Sequence, residues 1–354
     1  MRKLVVSAIV IGIVSVVMIY LLNSFGGGIN VKDMEFFFTR SWWGIIGISL
    51  LLISWFTDAL NTYLLVKTSK GSITFLQSFK STIIGNFFSM LTPSSTGGQP
   101  MQVVYMNKIG VPPGISTSIM VFKMIAWQGA IEIVAIFELR RAIFLMNSVP
   151  AALSLAFIGF VISSFTIAIL ILFNFNRKVY NTFFSILRKT ISLLKFSKKM
   201  KPKIDKILNR FDREIENYAD STKYFTKNSY ILIIVFFLSI ISSVSGLLLV
   251  FPAIAAMGLF HNGIQDILDV LAIQSLATLI IYFSPTPGSS GTAEGEFYLF
   301  FSAIIPLRYL ATITLEWSIL RYFIPLFVGF VIVVIESLKG LKIEPKKESD
   351  IIKR

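Results

Sequence analysis

The sequence contains no cysteine and a single histidine, His261. Without cysteine the chain can form neither disulfides nor thiolate metal sites, and one imidazole cannot supply the several ligands of a histidine zinc centre. It also lacks a His-Glu-x-x-His helix motif, a Gly-x-Ser-x-Gly nucleophile turn and an ATP-binding motif. We therefore predict no metal site, no cofactor and no catalytic residue.

Charged residues are scarce as well, at 15% of the chain, whereas hydrophobic residues make up 55% and the mean hydropathy is +0.75. This composition is typical of an integral membrane protein. The net charge of +14 would suit a nucleic-acid partner, but the basic residues lie between and beside apolar segments. Positive-inside topology and anionic lipid head groups explain that distribution better, so we expect no nucleic-acid partner.

Six apolar runs are long enough to cross a membrane, at residues 4–23, 42–66, 114–138, 150–174, 229–251 and 309–338. The first run follows Met1-Arg2-Lys3 and could be a cleavable signal. It exceeds the roughly 7 to 15 residues of a signal core and has no clear cleavage site, so we interpret it as a retained span. Six spans place both termini on one side of the membrane.

Basic clusters set the predicted orientation. With Arg2 and Lys3 in the cytoplasm, the basic clusters near the first hairpin, in the loop 175–228 and in the C-terminal tail all fall on the cytoplasmic face. These clusters include Lys67, Lys70, Lys80, Lys108, Lys195, Lys198, Lys199, Lys201, Lys203, Lys342, Lys346, Lys347, Lys353 and Arg354. We therefore expect a multi-pass protein of the cell inner membrane with cytoplasmic termini.

A polar, glycine-rich phrase occurs twice, each time where an apolar segment breaks off. The first phrase, residues 92–100, reads Thr-Pro-Ser-Ser-Thr-Gly-Gly-Gln-Pro, and the second phrase, residues 285–296, reads Pro-Thr-Pro-Gly-Ser-Ser-Gly-Thr-Ala-Glu-Gly-Glu. Backbone freed from helical bonding survives at membrane depth only inside protein or beside a water-filled cavity. Such a pair, one in each half of a hydrophobic chain, is typical of a transporter substrate site.

We expect each phrase to interrupt a re-entrant helix–break–helix hairpin, at residues 74–108 and 264–307. The predicted topology opens the first hairpin from the cytoplasm and the second from outside. Residues 42–138 and 229–338 would then form an inverted-topology repeat within one membrane domain of residues 1–354. A chance match between two short phrases is the alternative, and their similar position in each half favours the repeat.

Substrate-binding candidates are polar or glycine residues of the phrases and charges within apolar segments. The candidates are Asn86, Thr92, Pro93, Ser95, Gly97, Gly98, Gln99, Gln102, Lys123, Gln128, Pro285, Pro287, Gly288, Ser290, Gly291, Glu294, Arg308 and Arg321. Half-helix N-termini bind anions such as phosphate, and hydroxyl groups of the phrases add donors. The alternative is a pair of Ser- and Thr-capped turns that bind no ligand.

Charged residues inside spans cost roughly 2.5 to 3.5 kcal/mol on insertion scales, so each needs a partner or a function. We expect Lys123 and Arg321 to complement a lipid phosphate. For Asp58 and Glu132 a functional role and an interhelical packing role stay equally open. The basic loop 175–228 is interpreted as a solvated connection that enforces topology, the alternative being helices that lie on an anionic membrane surface.

The chain resembles the lysylphosphatidylglycerol synthase transmembrane-region family of flippase-like membrane proteins. The resemblance rests on residues 91–93 and 97–100, on residues 103–106, on Phe122-Lys123 and on residues 285–294, and it covers nearly the whole chain. Bifunctional family members join such a membrane region to a soluble aminoacyltransferase and are held to move aminoacylated lipid between leaflets. Stand-alone relatives are linked to glycolipid or polyprenyl pathways.

The resemblance implies lipid translocation without lipid synthesis, since the sequence ends at Arg354 soon after the last predicted span. Gln99 and Gln102 stand where many relatives look acidic and basic, so head-group preference does not carry over. The expected partners are membrane lipids with anionic head groups and, in one alternative, a transferase for which the chain is a scaffold. The other alternative is an intramembrane lipid-modifying enzyme with Glu294 or Glu296 as base.

Overall fold

The computed structural model describes the chain over most of its length. The described residues are 28–69, 71–176, 216–281, 284, 286 and 288–338, with 20, 179, 182, 185 and 186 as isolated positions. All regular elements in these ranges are helical, which confirms the predicted all-α class. Most of the predicted span 4–23, much of the basic loop 175–228 and the tail after residue 338 lie outside the described residues.

The first half begins with the short helix α1 (Val31–Glu35), which a π-helical turn (Phe36–Arg40) joins to the next helix. The helices that follow are α2 (Trp42–Thr68), α3 (Phe75–Leu91), α4 (Gly98–Lys108), α5 (Pro113–Phe137), α6 (Leu139–Leu145) and α7 (Pro150–Phe175). Ser41 caps α2, because its hydroxyl accepts the N–H of Trp43 at 3.1 Å. Thr74 and Gln77 form a capping box at the start of α3.

The second half begins with a helical segment at 216–227. It continues with α8 (Ser229–Leu247), α9 (Phe251–Ala256), α10 (Ile264–Ile281), α11 (Thr292–Phe301), α12 (Leu307–Ser318) and α13 (Ile324–Leu338). A 3-10 turn (Leu248–Val250) joins α8 to α9, and a π-helical turn (Ile319–Phe323) joins α12 to α13. These turns keep each pair nearly continuous.

Five stretches in the described ranges are long and apolar enough to cross a membrane. They are Trp42–Thr68, Pro113–Phe137, Pro150–Leu172, Ser229–Ala256 and Leu307–Leu338. They match five of the predicted spans within a few residues, and the fourth extends to Ala256 because the 3-10 turn and α9 continue it. Large apolar side chains such as Phe137, Phe157 and Phe327 are exposed on them, as a lipid-facing surface requires. The span count of the whole chain stays a prediction.

Both phrases interrupt paired helices, between α3 and α4 and between α10 and α11. In the first pair glycines allow a close approach. A β-carbon at Gly98 would collide with the Ser89 hydroxyl and lie 2.9 Å from the carbonyl oxygen of Gly85. A β-carbon at Gly85 would collide with the side chain of Gln102. Side chains at either glycine would therefore separate α3 from α4.

Two ion pairs lie near the starts of the α3–α4 and α10–α11 helix pairs. Lys80, near the start of α3, contacts Glu336, near the end of α13, with an Nζ–Oε1 distance of 2.7 Å. Arg141, just after α5 ends, contacts Asp269, near the start of α10, with an Nη1–Oδ1 distance of 2.6 Å.

The start of α3 and the start of α10 lie at opposite ends of the helix bundle. One buried cluster joins the end of α2, the start of α3, the end of α4 and the start of α5 through Leu65, Ile73, Met106 and Ile119. The 25 residues of α5 then run about 37 Å to its other end, beside Arg141. The α3–α4 and α10–α11 pairs therefore start from opposite ends. Whether they are re-entrant in a membrane stays a prediction.

Candidate functional site

The two phrases are in direct contact. The backbone N–H of Gly288 donates to the carbonyl oxygen of Thr92 at 3.1 Å, and the Ser94 hydroxyl donates to the carbonyl oxygen of Ser284 at 2.9 Å. The Tyr322 hydroxyl, which follows α12, donates to the carbonyl oxygen of Met90 at 3.5 Å. Two helix interruptions that are far apart in sequence are thus joined by a hydrogen bond between their backbones.

Both phrases adopt the same turn. Ser94 and Ser95 have φ angles of 51° and 54°, and Gly288 and Ser289 both have φ angles of 58°. Left-handed backbone is unfavourable for residues other than glycine, so the recurrence at three serine positions is unusual. The Ser95 N–H donates to the Thr92 carbonyl at 3.2 Å, and the Ser289 N–H donates to the Thr286 carbonyl at 3.0 Å. The turn therefore starts at Thr92 in one phrase and at Thr286 in the other.

The correspondence continues beyond the turns. As many residues separate Thr92 from Thr286 as separate Pro112 from Pro306, and each proline is the N-cap of a long helix. Their backbone angles agree closely, with φ −56° and ψ 141° at Pro112 and φ −58° and ψ 140° at Pro306. From the phrase to the following span, the two halves share one chain layout.

The contact between the phrases has the form expected of a pseudo-two-fold axis. In the shared layout Ser94 corresponds to Gly288, and Met90 corresponds to Ser284. Ser94 contacts Ser284, and Gly288 lies against Met90, where a β-carbon at Gly288 would be 2.8 Å from the Met90 Cα. Exchanging the two phrases therefore maps the contact onto itself, as in an isologous interface.

Three hydroxyl groups lie close together in and directly before the second phrase. The Ser284 and Thr286 hydroxyls are 2.9 Å apart, and those of Thr286 and Thr292 are 3.1 Å apart. Ser284 also contacts Thr292, whose hydroxyl donates to the Ser289 carbonyl at 3.0 Å. Ser290 is buried, Gly291 is exposed, and the candidates Pro285 and Pro287 lie outside the described residues. This side of the site offers hydroxyl groups to a polar ligand.

Glu294 is fully engaged by the protein. It is 2% exposed, its Oε2 accepts the Gly291 N–H at 2.6 Å, and its Oε1 accepts the Ser318 hydroxyl at 2.9 Å. The carboxylate thus caps the N-terminus of α11 and ties it to α12. The first turn of α4 has no acidic residue, so its positive end at Gly98 is the better placed for an anionic ligand, whereas the Gly97 N–H already donates to the Thr92 hydroxyl at 2.8 Å.

Arg321 lies beside the phrases. It belongs to the π-helical turn one residue before Tyr322, and its guanidinium lies 4.9 Å from the centroid of the Trp317 ring. Glu296 on α11 is near enough to attract it electrostatically. In the part of the chain that the structure describes, the buried atoms Arg321 Nη1 and Glu296 Oε1 have no hydrogen-bond partner. A buried donor on a cation is thus free near Glu296, the last residue of the second phrase.

Lys123 is bound within the protein. Its Nζ contacts Asp58 Oδ2 at 2.9 Å and the Thr62 hydroxyl at 2.7 Å, and the Thr82 hydroxyl donates to the same Asp58 oxygen at 2.7 Å. This buried network joins α2, α3 and α5. Of the two cations expected to complement a phosphate, Arg321 is therefore near the phrases and Lys123 is paired in the bundle.

The remaining candidates are more dispersed. Gln128 donates to the Ser163 hydroxyl at 2.7 Å, between α5 and α7, and Arg308 is exposed at the start of α12, 4.5 Å from the centroid of the Tyr309 ring. Gln102 is buried against Gly85. Asn86 is half-buried on α3, and Pro93 and Gln99 are exposed.

The site also contains three residues that the sequence patterns did not indicate, namely Ser284, Ser318 and Tyr322. Ser284 directly precedes the second phrase and Tyr322 directly follows Arg321, so proximity in sequence could have indicated both. No sequence signal marks Ser318, which enters the site only because α12 packs against α11.

Comparison with known proteins shows similarity to membrane proteins. A family model described as the lysylphosphatidylglycerol synthase TM region matches residues 4–329, a range that contains both phrases and the helices that carry them. A UPF0104 membrane protein of Archaeoglobus fulgidus is 26% identical over 308 residues, which cover 85% of this chain and 88% of that protein.

Proposed function

The chain belongs to the lysylphosphatidylglycerol synthase transmembrane-region family of membrane proteins, and from this membership we propose that it moves a phosphate-bearing lipid between membrane leaflets. The observation that carries the proposal is the contact between the phrases, in which the Gly288 N–H donates to the Thr92 carbonyl. Two helix breaks that meet near a pseudo-two-fold axis are the arrangement in which many secondary transporters bind substrate.

The groups around this contact suit a lipid head group. The N-terminus of α4 and the free donor of Arg321 offer positive charge to a phosphate, while Thr286 offers a hydroxyl group. The acyl chains would remain in the bilayer beside the exposed apolar helix faces. Without an ATP-binding motif in the sequence, movement would be downhill or coupled to a gradient.

A lipid-modifying enzyme with Glu294 or Glu296 as its base is the rival, and the contacts of Glu294 disfavour that residue as the base. Both oxygens of this carboxylate already accept hydrogen bonds, from Gly291 and Ser318, whereas a general base needs to reach a substrate proton. The same bonds explain the presence of a glutamate here as a helix cap.

The test uses purified protein in vesicles that contain fluorescent phosphatidylglycerol, with a membrane-impermeant quencher reporting movement between leaflets. We expect the wild type to move the probe. Arg321→Gln should weaken probe binding by about 1.5 to 3 kcal/mol, the size of a hydrogen bond to a charged group. The matched control is Arg308→Gln, which removes an exposed arginine away from the phrases and should change little.

Mass spectrometry of the same vesicles separates the alternatives. A chemically altered lipid that disappears in Glu294→Gln would replace the proposal with the enzyme. Protein that neither moves nor alters lipid on its own would favour the scaffold for a partner transferase.

A further inference from the structure

Glu316 on α12 is the least compensated charge in the described residues. The residue is 0% exposed, and neither carboxylate oxygen has a hydrogen-bond partner within the described ranges. Burying an ionised carboxylate without a partner is so costly that such a group either binds a cation or takes up a proton. It lies nine residues after Leu307, roughly 14 Å along the helix from its start.

In the first half of the molecule, a buried charge at a similar position has a counter-charge. Lys123 lies eleven residues after its N-cap Pro112, and Glu316 lies ten residues after its N-cap Pro306. Each half thus buries one ionisable side chain at a similar distance along the equivalent helix. Lys123 has its counter-charge in Asp58, whereas no cation forms an ion pair with Glu316 in the described chain. Of these two side chains, Glu316 is therefore the one without a counter-charge in the described residues.

Among the described elements that pack most closely against α12, no charged group forms an ion pair with Glu316. The charged groups on these elements are Lys32, Asp33 and Glu35 on α1, Glu294 and Glu296 on α11, and Arg321 on the π-helical turn; α9 and the 3-10 turn carry none. Lys32 and Glu35 are exposed, Glu294 is bonded to Gly291 and Ser318, and Arg321 attracts Glu296. Asp33 is near enough to repel a negative charge on Glu316.

The helix that carries Glu316 also holds the candidate site together. Two residues later, Ser318 donates to Glu294, the cap of α11. Trp317 stacks on Phe297 with ring centroids 4.7 Å apart, and Tyr322 contacts Met90 before the first phrase. The π-helical turn lies between Ser318 and α13, and such turns are frequent at functional sites. A change in charge at Glu316 would therefore act on a helix that contacts the second phrase and continues into the π-helical turn beside Met90.

We propose that Glu316 is a proton-binding site that couples a transmembrane proton gradient to lipid movement. The carboxyl group binds one proton when it is buried as in this structure, and it releases the proton when α12 moves relative to α1 and α11. The coupling rests on the proposed lipid translocation, but proton binding does not. The two can therefore fail separately.

Proton binding is tested on the purified protein by infrared difference spectroscopy over a pH titration without added lipid. We expect a carbonyl band of a protonated carboxylic acid that is present in the wild type and in the exposed-site control Glu35→Gln, and absent in Glu316→Gln. An unchanged band in Glu316→Gln would overturn the proposal.

Coupling is tested in vesicles with fluorescent phosphatidylglycerol and an imposed difference of one pH unit. If one proton moves with each lipid, the wild type should approach about a tenfold ratio of probe concentrations between the two leaflets. Glu316→Gln should instead distribute the probe equally between them. Equal gradient response in both proteins would overturn the coupling and leave translocation intact. If the wild type shows the carbonyl band but does not move the probe, the proposed translocation and its coupling to protons are both wrong. Proton binding by Glu316 would still hold.

Discussion

Gly288 meets two requirements that no other residue type meets at low cost. Its φ of 58° lies in the left-handed region, and a β-carbon there would lie 2.6 Å from the Tyr322 ring and 2.8 Å from the Met90 backbone. The first requirement costs roughly 1 to 2 kcal/mol for other residues. The second would force the two phrases apart.

We expect Gly288→Ala to reduce lipid movement in vesicles strongly while leaving the protein folded in detergent. The matched control is Gly258→Ala, because Gly258 has a φ of 67° and no atom within 4 Å of its β-carbon position. This control introduces the same strain of a left-handed backbone at alanine, but its β-carbon does not press on a neighbouring segment. Equal activity of the two variants would show that the phrase contact is not needed for movement.

The sequence was sufficient to select the glycines and serines of the phrases, because their residue types alone indicate an interrupted helix. It could not indicate which side chains would pair. Lys123 and Asp58 are 65 residues apart in the chain, and only the packing of α2 against α5 brings them together. The functional interpretation of Lys123 as a phosphate partner rested on its depth in a span, which a buried ion pair explains equally well.

The network of Lys123 joins three helices, and its role can be measured. We expect Lys123→Met to destabilise the protein by about 3 kcal/mol, because it leaves Asp58 partly buried without its counter-charge. The double variant Lys123→Met with Asp58→Leu should recover much of that loss. Tryptophan fluorescence during thermal unfolding in detergent measures both.

Lipid binding by the double variant separates the two interpretations of Lys123. If Lys123 holds the lipid phosphate, restoring stability will not restore binding of fluorescent phosphatidylglycerol. Normal binding by the stable double variant would assign the residue to packing.

Helix positions were largely predictable, whereas their local irregularities were not. Apolar length gave five of the spans within a few residues, and prolines marked the starts of α5 and α7. The helices α1 and α6 and the two π-helical turns were not predicted. They are short and depend on contacts such as the bond from the Asn30 N–H to the Thr312 hydroxyl, which joins residues 282 positions apart.

The arrangement of the whole molecule predicts how it is oriented in a membrane. Since the chain has no cysteine, single cysteines at exposed Ser72, before α3, and exposed His261, before α10, can be labelled without background. We expect an impermeant reagent to reach Ser72→Cys from the cytoplasm and His261→Cys from outside. Labelling of both from one side would contradict the inverted repeat.

If the chain moves lipid as proposed, the pseudo-two-fold relation between the phrases bears on the direction of that movement. A carrier built from two equivalent halves turned end for end works as readily in one direction as in the other. Net flow would then follow from the concentrations of lipid, and of any coupled ion, on the two sides. In the described residues the halves differ in the Lys123–Asp58 pair of one and in Glu316, which has no partner, in the other, and such differences can make one direction faster.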